Sequence, residues 1–465
     1  MNSMKKKEFN PTWNLITLCM ASFSVVTGFG VIIPFFPLYA SDILTEIKIF
    51  SLTIGIALQI GIMTSAFMFT RFLLSPVYGD LSDSTGRKPI ILVGMVIYTV
   101  LMAGFGLAFD FFTLFIIRGM QGIASAAVWP VGEALIVDTS PKEKVGRNLG
   151  YYMMSMQAGM ASGPFIGFFF YYLLNNFFNL PELLSYRLTF ICVGVLGVLA
   201  TVIVAIAVSD PYTQVEQKSL QSVFSGSVIG MADRTLKSPQ FLFNTLRTND
   251  GYRTRSIYTV YLVAMINGFG FAMIFPIISL FLNDYYNIDP GTIALIIGVV
   301  GMPALVGGPI GGYISDKIGR KVTVSGSGTL VGFLFISLGI KMALILLMVL
   351  FTLQRFLFGI LQPSFRALQS DLIPEEVRGK EFGVVQAFFN LGASLGPIIG
   401  GWLYDVFYMA NFDLKYGITY FGAGVAFTLA GLLALLASNL LFLIVDYNRH
   451  RIQLERIKAE TKASY

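Results

Sequence analysis

From Leu188 to Val208 the chain carries no charged residue, and the stretches Trp13 to Ala40 and Tyr416 to Val445 are equally free of Asp, Glu, Lys and Arg. A helix needs about 20 apolar residues to cross the hydrocarbon core of a bilayer, so each stretch is long enough to span. Hydrocarbon offers no partner to a backbone N–H or C=O, so these stretches are expected to be helices; barrel strands would be shorter and would alternate. With 55% apolar and 12% charged residues over 465 positions, the composition excludes a string of soluble domains and predicts an all-α integral membrane protein. Cys19 and Cys192 both fall in apolar stretches, where a thiol behaves as a small hydrophobe, so no disulfide framework is indicated. The first stretch follows Lys5, Lys6 and Lys7 as a signal peptide would. It is too long and lacks a small-residue cleavage site, so it reads as a retained span.

Charge clusters and turn residues divide the chain into twelve spans, near 13–40, 50–78, 89–109, 111–137, 148–174, 188–209, 257–282, 291–314, 322–340, 342–369, 381–404 and 416–445. Most of the 32 Lys and Arg lie at the N-terminus, in the even-to-odd connections and in the C-terminal tail; Lys48, Arg187, Lys341 and Lys415 occupy the opposite connections. Basic residues stay on the cytoplasmic side during insertion. Both termini and the 210–256 connector are therefore expected in the cytoplasm, and the protein in the cell membrane. The net charge of +6 is then a topology signal that calls for no nucleic-acid partner. The connector, with Lys218, Arg234, Lys237, Arg247, Arg253 and Arg255, suits a tether at the membrane surface.

Sliding the sequence along itself by 233 residues places Gly79, Asp83, Gly86, Arg87 and Lys88 on Gly312, Asp316, Gly319, Arg320 and Lys321. Without a gap, Pro130 then falls on Pro363, Asp138 on Asp371, Pro141 on Pro374, Gly150 on Gly383, and Gly159, Gly163, Pro164 and Gly167 on Gly392, Gly396, Pro397 and Gly400. The duplication predicts two pseudo-symmetric six-helix bundles, over 13–209 and 257–445, joined by the connector and flanked by tails at 1–12 and 446–465. Repeats of this kind place a substrate site near the membrane midplane, between halves that rock against one another. A transporter is favoured over a channel or a membrane enzyme.

The run Gly79-Asp80-Leu81-Ser82-Asp83-Ser84-Thr85-Gly86-Arg87-Lys88 resembles the signature loop of the major facilitator superfamily, and Arg118-Gly119-Met120-Gln121-Gly122 resembles the Arg-x-x-Gln-Gly pattern of its proton-linked drug exporters. Gly150, Gly159, Gly163, Pro164 and Gly167 are similar to the antiporter motif of those exporters, and Gly28 through Pro37 to their first helix. Ser84 stands where the family loop usually carries a basic residue, and Phe168 where the antiporter motif ends in glycine, which Gly401 supplies in the second half. The resemblance implies the twelve-helix major facilitator fold and a gate latch of Asp83, Arg87 and Asp138, repeated at Asp316 and Arg320.

The residues carry their own physical reading. Gly86 permits a tight loop with positive φ. Glycines four apart make a smooth face for close helix approach, and Pro164 removes one helix hydrogen bond. Topology signals are the alternative reading of the latch residues, and pure packing that of the glycines. Charges at depth are costly and normally face a bundle interior or a wet cavity; here they are Arg71, Arg118, Glu133, Arg355 and Arg366. The repeat sets Glu133 on Arg366, on spans four and ten, which in the family's architecture line the central cavity. Glu133 is the candidate proton carrier, with Arg366 or Arg71 pairing its charged form; a permanent structural pair is the alternative. Arg118 matches the family's proton-transfer arginine, or holds helices together. Phe29, Phe35, Trp129 and Phe269 are candidates for a greasy substrate pocket.

No metal cluster, nucleotide-binding loop or catalytic constellation is present in the sequence, so no cofactor is expected. The expected partners are a small-molecule substrate, protons and membrane lipid, with the carrier working as a monomer. The leading expectation is proton-coupled export of amphiphilic compounds. Proton-linked or facilitative uptake of an anionic metabolite, and a transport-inactive scaffold or sensor, stand as alternatives.

Overall fold

The computed structural model describes residues 11–49, 52–141, 144–208, 255–374, 377–414 and 417–445. Residues 1–10 of the expected N-terminal tail, the connector up to residue 254, and the C-terminal tail with its single histidine, His450, lie outside the described residues.

The apolar stretches close their backbone polar groups as helices: α1 Pro11–Ile43, α2 Ile56–Thr85, α3 Arg87–Phe105, α4 Phe111–Thr139, α5 Val145–Tyr172, α6 Glu182–Ala207, α7 Arg255–Ile274, α8 Ile278–Tyr286, α9 Pro290–Gly301, α10 Pro303–Ile318, α11 Arg320–Ser337, α12 Leu344–Leu372, α13 Arg378–Val406 and α14 Gly424–Ile444. Asp110 begins α4 by accepting from the Thr113 N–H at 2.7 Å, and that bond holds its carboxyl below the usual carboxylate range. A π-helical turn, Leu173–Phe177, prolongs α5. The expected seventh span is broken between α7 and α8, where Pro276 interrupts the helix within a turn. A proline has no N–H to continue the ladder. The eighth is divided at Met302, ahead of Pro303, into α9 and α10.

Two expected spans begin later than their apolar composition indicates. Strand β1, Ile47–Ile49, pairs antiparallel with β2, Leu52–Ile54, ahead of α2. Strand β3, Asn411–Leu414, pairs with β4, Ile418–Phe421, ahead of α14. Among the described residues, ten helical segments are long and apolar enough to cross a membrane, with α7–α8 and α9–α10 each counting once. Helices α5 and α11 do not qualify. Asn148, Ser155, Gln157 and Ser162 dilute the first, and Arg320, Lys321, Thr323, Ser325 and Ser327 the second.

The described residues fall into two compact units, 11–32 with 70–208 and 33–69 with 255–445. Both are held by close backbone approach. Lipid tails are as apolar as leucine, so helices in a bilayer associate through packing of small residues. In the first unit a Cβ on Gly159 would sit 2.5 Å from the Phe23 carbonyl of α1, and one on Gly163 would sit 2.5 Å from the Gly30 Cα. In the second, Cβ atoms on Gly392, Gly396 and Gly400 of α13 would strike the carbonyls of Met265, Phe269 and Met273 on α7. The repeat therefore reproduces its packing: Gly159 and Gly163 are closed against α1, and their counterparts Gly392 and Gly396 against α7. Gly79, Gly150, Gly312 and Gly383 have open space in both halves. Val195, Val198, Leu199, Val202 and Ile206 leave α6 exposed along one side, as a lipid-facing helix requires.

Candidate functional site

Helices α2 and α3 are separated by a single residue, Gly86, at φ 92°. Its counterpart Gly319 separates α10 from α11 at φ 96°. A side chain is strained at this φ, and the turn aims the next residue, an arginine, back at its own bundle. Arg87 pairs with Asp138 at the end of α4, with Asp83 at 2.9 Å, and donates to Ser82 Oγ at 3.0 Å. Arg320 pairs with Asp371, with Asp316 at 3.8 Å, and donates to the Ala367 carbonyl at 2.9 Å. Lys88 donates to the Ala205 carbonyl at 2.8 Å. The expected cluster of Asp83, Arg87 and Asp138 is thus assembled, with a replica in the second unit.

Residues 118, 121, 125, 129 and 133 of α4 recur at three- and four-residue spacing, so they share one face. Near Trp129 that face meets α1, α2, α3 and α5 in a polar nest. The Arg71 guanidinium lies 4.0 Å over the Trp129 ring. Phe29 meets the same indole edge-on, with centroids 6.1 Å apart. Tyr152 donates to the Trp129 carbonyl at 3.5 Å, and its hydroxyl occupies the space left by the missing side chain of Gly132. Glu133 is within electrostatic reach of Arg71 and Tyr152, and Tyr98 of Arg71 and Arg118. Arg118 is buried, 5.7 Å from the Phe105 ring. Three donors in the nest, Arg71 Nε, Trp129 Nε1 and the Tyr98 hydroxyl, are buried without a hydrogen-bond partner. Glu133 lies six residues from the end of α4, roughly 9 Å along the axis, so the nest sits between the helix centre and the Arg87 cluster.

In the second unit Arg366 is exposed and donates to Gln386 of α13 at 2.8 Å, which in turn donates to Asn390 at 3.2 Å. Arg355 stands 5.1 Å from the Phe351 ring. Phe35 is fully buried and Phe269 half-buried. Of the four candidate aromatics, Phe29 and Trp129 meet in one place. Of the two arginines considered for Glu133, Arg71 shares its nest.

Sequence reasoning missed several groups. The Tyr98 and Tyr152 hydroxyls were hidden among the 21 tyrosines. Glu381 is fully buried at the start of α13 and accepts from the Tyr261 hydroxyl. Asp405, at the other end of α13, accepts from the backbone N–H groups of Ala57 and Leu58. Asp284 accepts from the Tyr404 hydroxyl at 2.7 Å. The helices outrun the apolar stretches used to define the spans, so Asp284 and Asp405 read as loop residues, and Glu381 stands at the first position of the span expected over 381–404. Among the described residues, no group of three or more His, Cys, Asp or Glu is suited to a metal ion.

A duplicated helical membrane protein with a charged nest buried in its first unit and an arginine cluster repeated in both defines a class of membrane carriers. The family model of the Major Facilitator Superfamily matches residues 18–249 and 260–463, and the chain belongs to that superfamily. It is accordingly a multi-pass secondary carrier that moves a small molecule across a membrane, rather than an enzyme. It is 26% identical over 415 residues to the quinolone resistance protein NorA of Staphylococcus aureus, covering 86% of this chain and 92% of that one. It is 25% identical over 411 residues to the multi-drug resistance efflux pump PmrA of Streptococcus pneumoniae, covering 84% and 90%. A bacterial homologue of the human lysosomal transporter Spinster, solved inward-facing and occupied, shares the fold with a TM-score of 0.73 at 15% identity, over 94% of this chain and 97% of that one.

Proposed function

We propose that this carrier exports amphiphilic small molecules in exchange for protons, with Glu133 as the proton-carrying group. The observation that carries the reading is the placement of Glu133 beside Arg71, whose guanidinium is stacked on Trp129. A carboxylate away from the helix ends binds either a proton or a cationic head group, and competition between the two is what exchange requires. Trp129 and Phe29 offer aromatic faces to the apolar body of the ligand, while Phe35 and Phe269 serve as further lining residues. Arg118, Arg355 and Arg366 tune the charge of the pathway. The Arg87 and Arg320 clusters, with Gly79, Gly86 and Lys88, act as gate latches. Gly150, Gly159, Gly163, Pro164 and Gly167 form the antiporter seam. The names of the relatives, a resistance protein and an efflux pump, support the direction. In this reading α5 and α11 complete twelve crossings in bundles over 13–209 and 257–445, both termini are cytoplasmic, and the carrier works as a monomer in the cell membrane.

One observation favours a second reading, uptake of an anion. The nest holds more unpartnered donors than acceptors, in Arg71 Nε, Trp129 Nε1 and the Tyr98 hydroxyl. Protonating Glu133 frees the positive charge of Arg71, so an anion and a proton would bind together and travel in the same direction. A cation and a proton compete, and travel in opposite directions.

Proteoliposomes with an imposed pH gradient decide between them, using a panel of amphiphilic cations and aromatic carboxylates. Proton movement opposite to substrate supports exchange, and co-directional movement supports uptake. The Glu133→Gln variant is expected to insert and fold while losing gradient-driven transport; full coupling in that variant sinks the role given to Glu133.

A further inference from the structure

The start of α2 is capped from a distant part of the chain. The first N–H groups of a helix have no intrahelical acceptor and carry the positive end of its dipole. At α2 the backbone N–H of Ala57 donates to Asp405 Oδ1 at 3.1 Å and that of Leu58 to Oδ2 at 2.8 Å. One carboxylate of α13, nearly 350 positions along the chain, therefore satisfies two orphan donors at once. The surroundings are shaped for it. A Cβ on Gly55 would overlap the Asp405 carboxyl group, one on Gly61 would strike the Pro397 carbonyl, and one on Gly401 the Ala57 carbonyl. The backbones of α2 and α13 thus touch beside the cap, at Ala57 with Gly401, and again one turn further along α2, at Gly61 with Pro397. A third contact in the same unit joins the same sequence halves: Ser279 Oγ of α8 donates to the Ile33 carbonyl of α1 at 3.2 Å.

We propose that Asp405 is a positioning residue of the transport cycle, holding the start of α2 against the end of α13 until this end of the carrier opens. Alternating access requires helices of the two sequence halves to part, first at one end and then at the other. The contacts joining α1 and α2 to α8 and α13 connect those halves, whereas the Arg87 and Arg320 clusters each lie within one. A hydrogen bond to a charged group is stronger than a neutral one, so the Asp405 cap is a contact whose loss biases the cycle. This inference rests on the chain being a carrier and is independent of the role given to Glu133.

The test uses the full-length protein, purified in lipid nanodiscs, with Cys19 and Cys192 replaced by Ala. Ser279→Cys is a nearly isosteric reporter at a fully buried position in the contact, and Ser185→Cys an equally buried control in the first unit. Asp405→Asn is expected to speed maleimide labelling of the Ser279→Cys reporter by roughly tenfold or more, with the Ser185→Cys control unchanged. Gly55→Ala, which crowds the carboxylate without removing it, should act in the same direction. Unchanged labelling of the Ser279→Cys reporter in Asp405→Asn overturns the proposal. So does an equal rise at the control site, because that outcome reports general loosening. Failure of the Glu133→Gln experiment with success here would remove the proton assignment and leave the Asp405 cap standing.

Discussion

At the scale of single residues, the nest depends on one missing side chain. Gly132 leaves the space that the Tyr152 hydroxyl fills, and a methyl group there would overlap the oxygen. Gly132→Ala is expected to lower stability by about 1–3 kcal/mol through overpacking, read as a fall in thermal midpoint. Tyr152→Phe, which removes the colliding atom, should recover part of the loss in the double variant; an additive effect of the two changes would contradict the packing. Magnitudes also explain why Arg71 needs two partners. A guanidinium at the centre of a membrane helix costs about 2.5–3.5 kcal/mol on insertion scales. Stacking on an indole recovers about 0.5–2 kcal/mol. Glu133, within electrostatic reach of Arg71, offsets part of the remainder when it is ionised.

At the scale of helices, the repeat sorts its glycines. Gly392 and Gly396 are closed against α7 as Gly159 and Gly163 are against α1, while Gly383 and Gly150 face open space. Spacing alone made the glycines a close-packing face, and the structure adds which members carry the packing. Gly392→Ala is expected to force α7 and α13 apart and cost about 1–3 kcal/mol. Gly383→Ala, at an exposed helical position, should be neutral or slightly stabilising, because alanine is the better helix former. Thermal unfolding of the two variants in one detergent checks the contrast; equal losses would mean that the seam is not the tight contact.

At the scale of the molecule, the duplication and the helical membrane fold were legible because Gly, Pro and charge are read directly from sequence. The Arg87 cluster was legible for the same reason, since Gly86 and Asp138 fix both its turn and its partner. The nest was only half legible. Glu133 and Arg71 stand out as charges in apolar surroundings, whereas Tyr98 and Tyr152 are ordinary aromatics until the tertiary fold brings α3 and α5 to α4. The breaks at Pro276 and Pro303 and the strand pairs ahead of α2 and α14 were hidden because apolar composition marks length in the membrane and not hydrogen bonding. Asp405 was invisible for a related reason: its partners are backbone N–H groups nearly 350 positions away.

In the proposed exchange cycle Glu133 gives up its proton when an amphiphilic cation binds. The most direct measurement is proton release from the purified carrier, followed with a pH indicator in weak buffer as a saturating transported cation is added. The wild-type protein is expected to release up to about one proton per carrier, and Glu133→Gln none while still folded. Equal release from both proteins would contradict a proton-carrying Glu133.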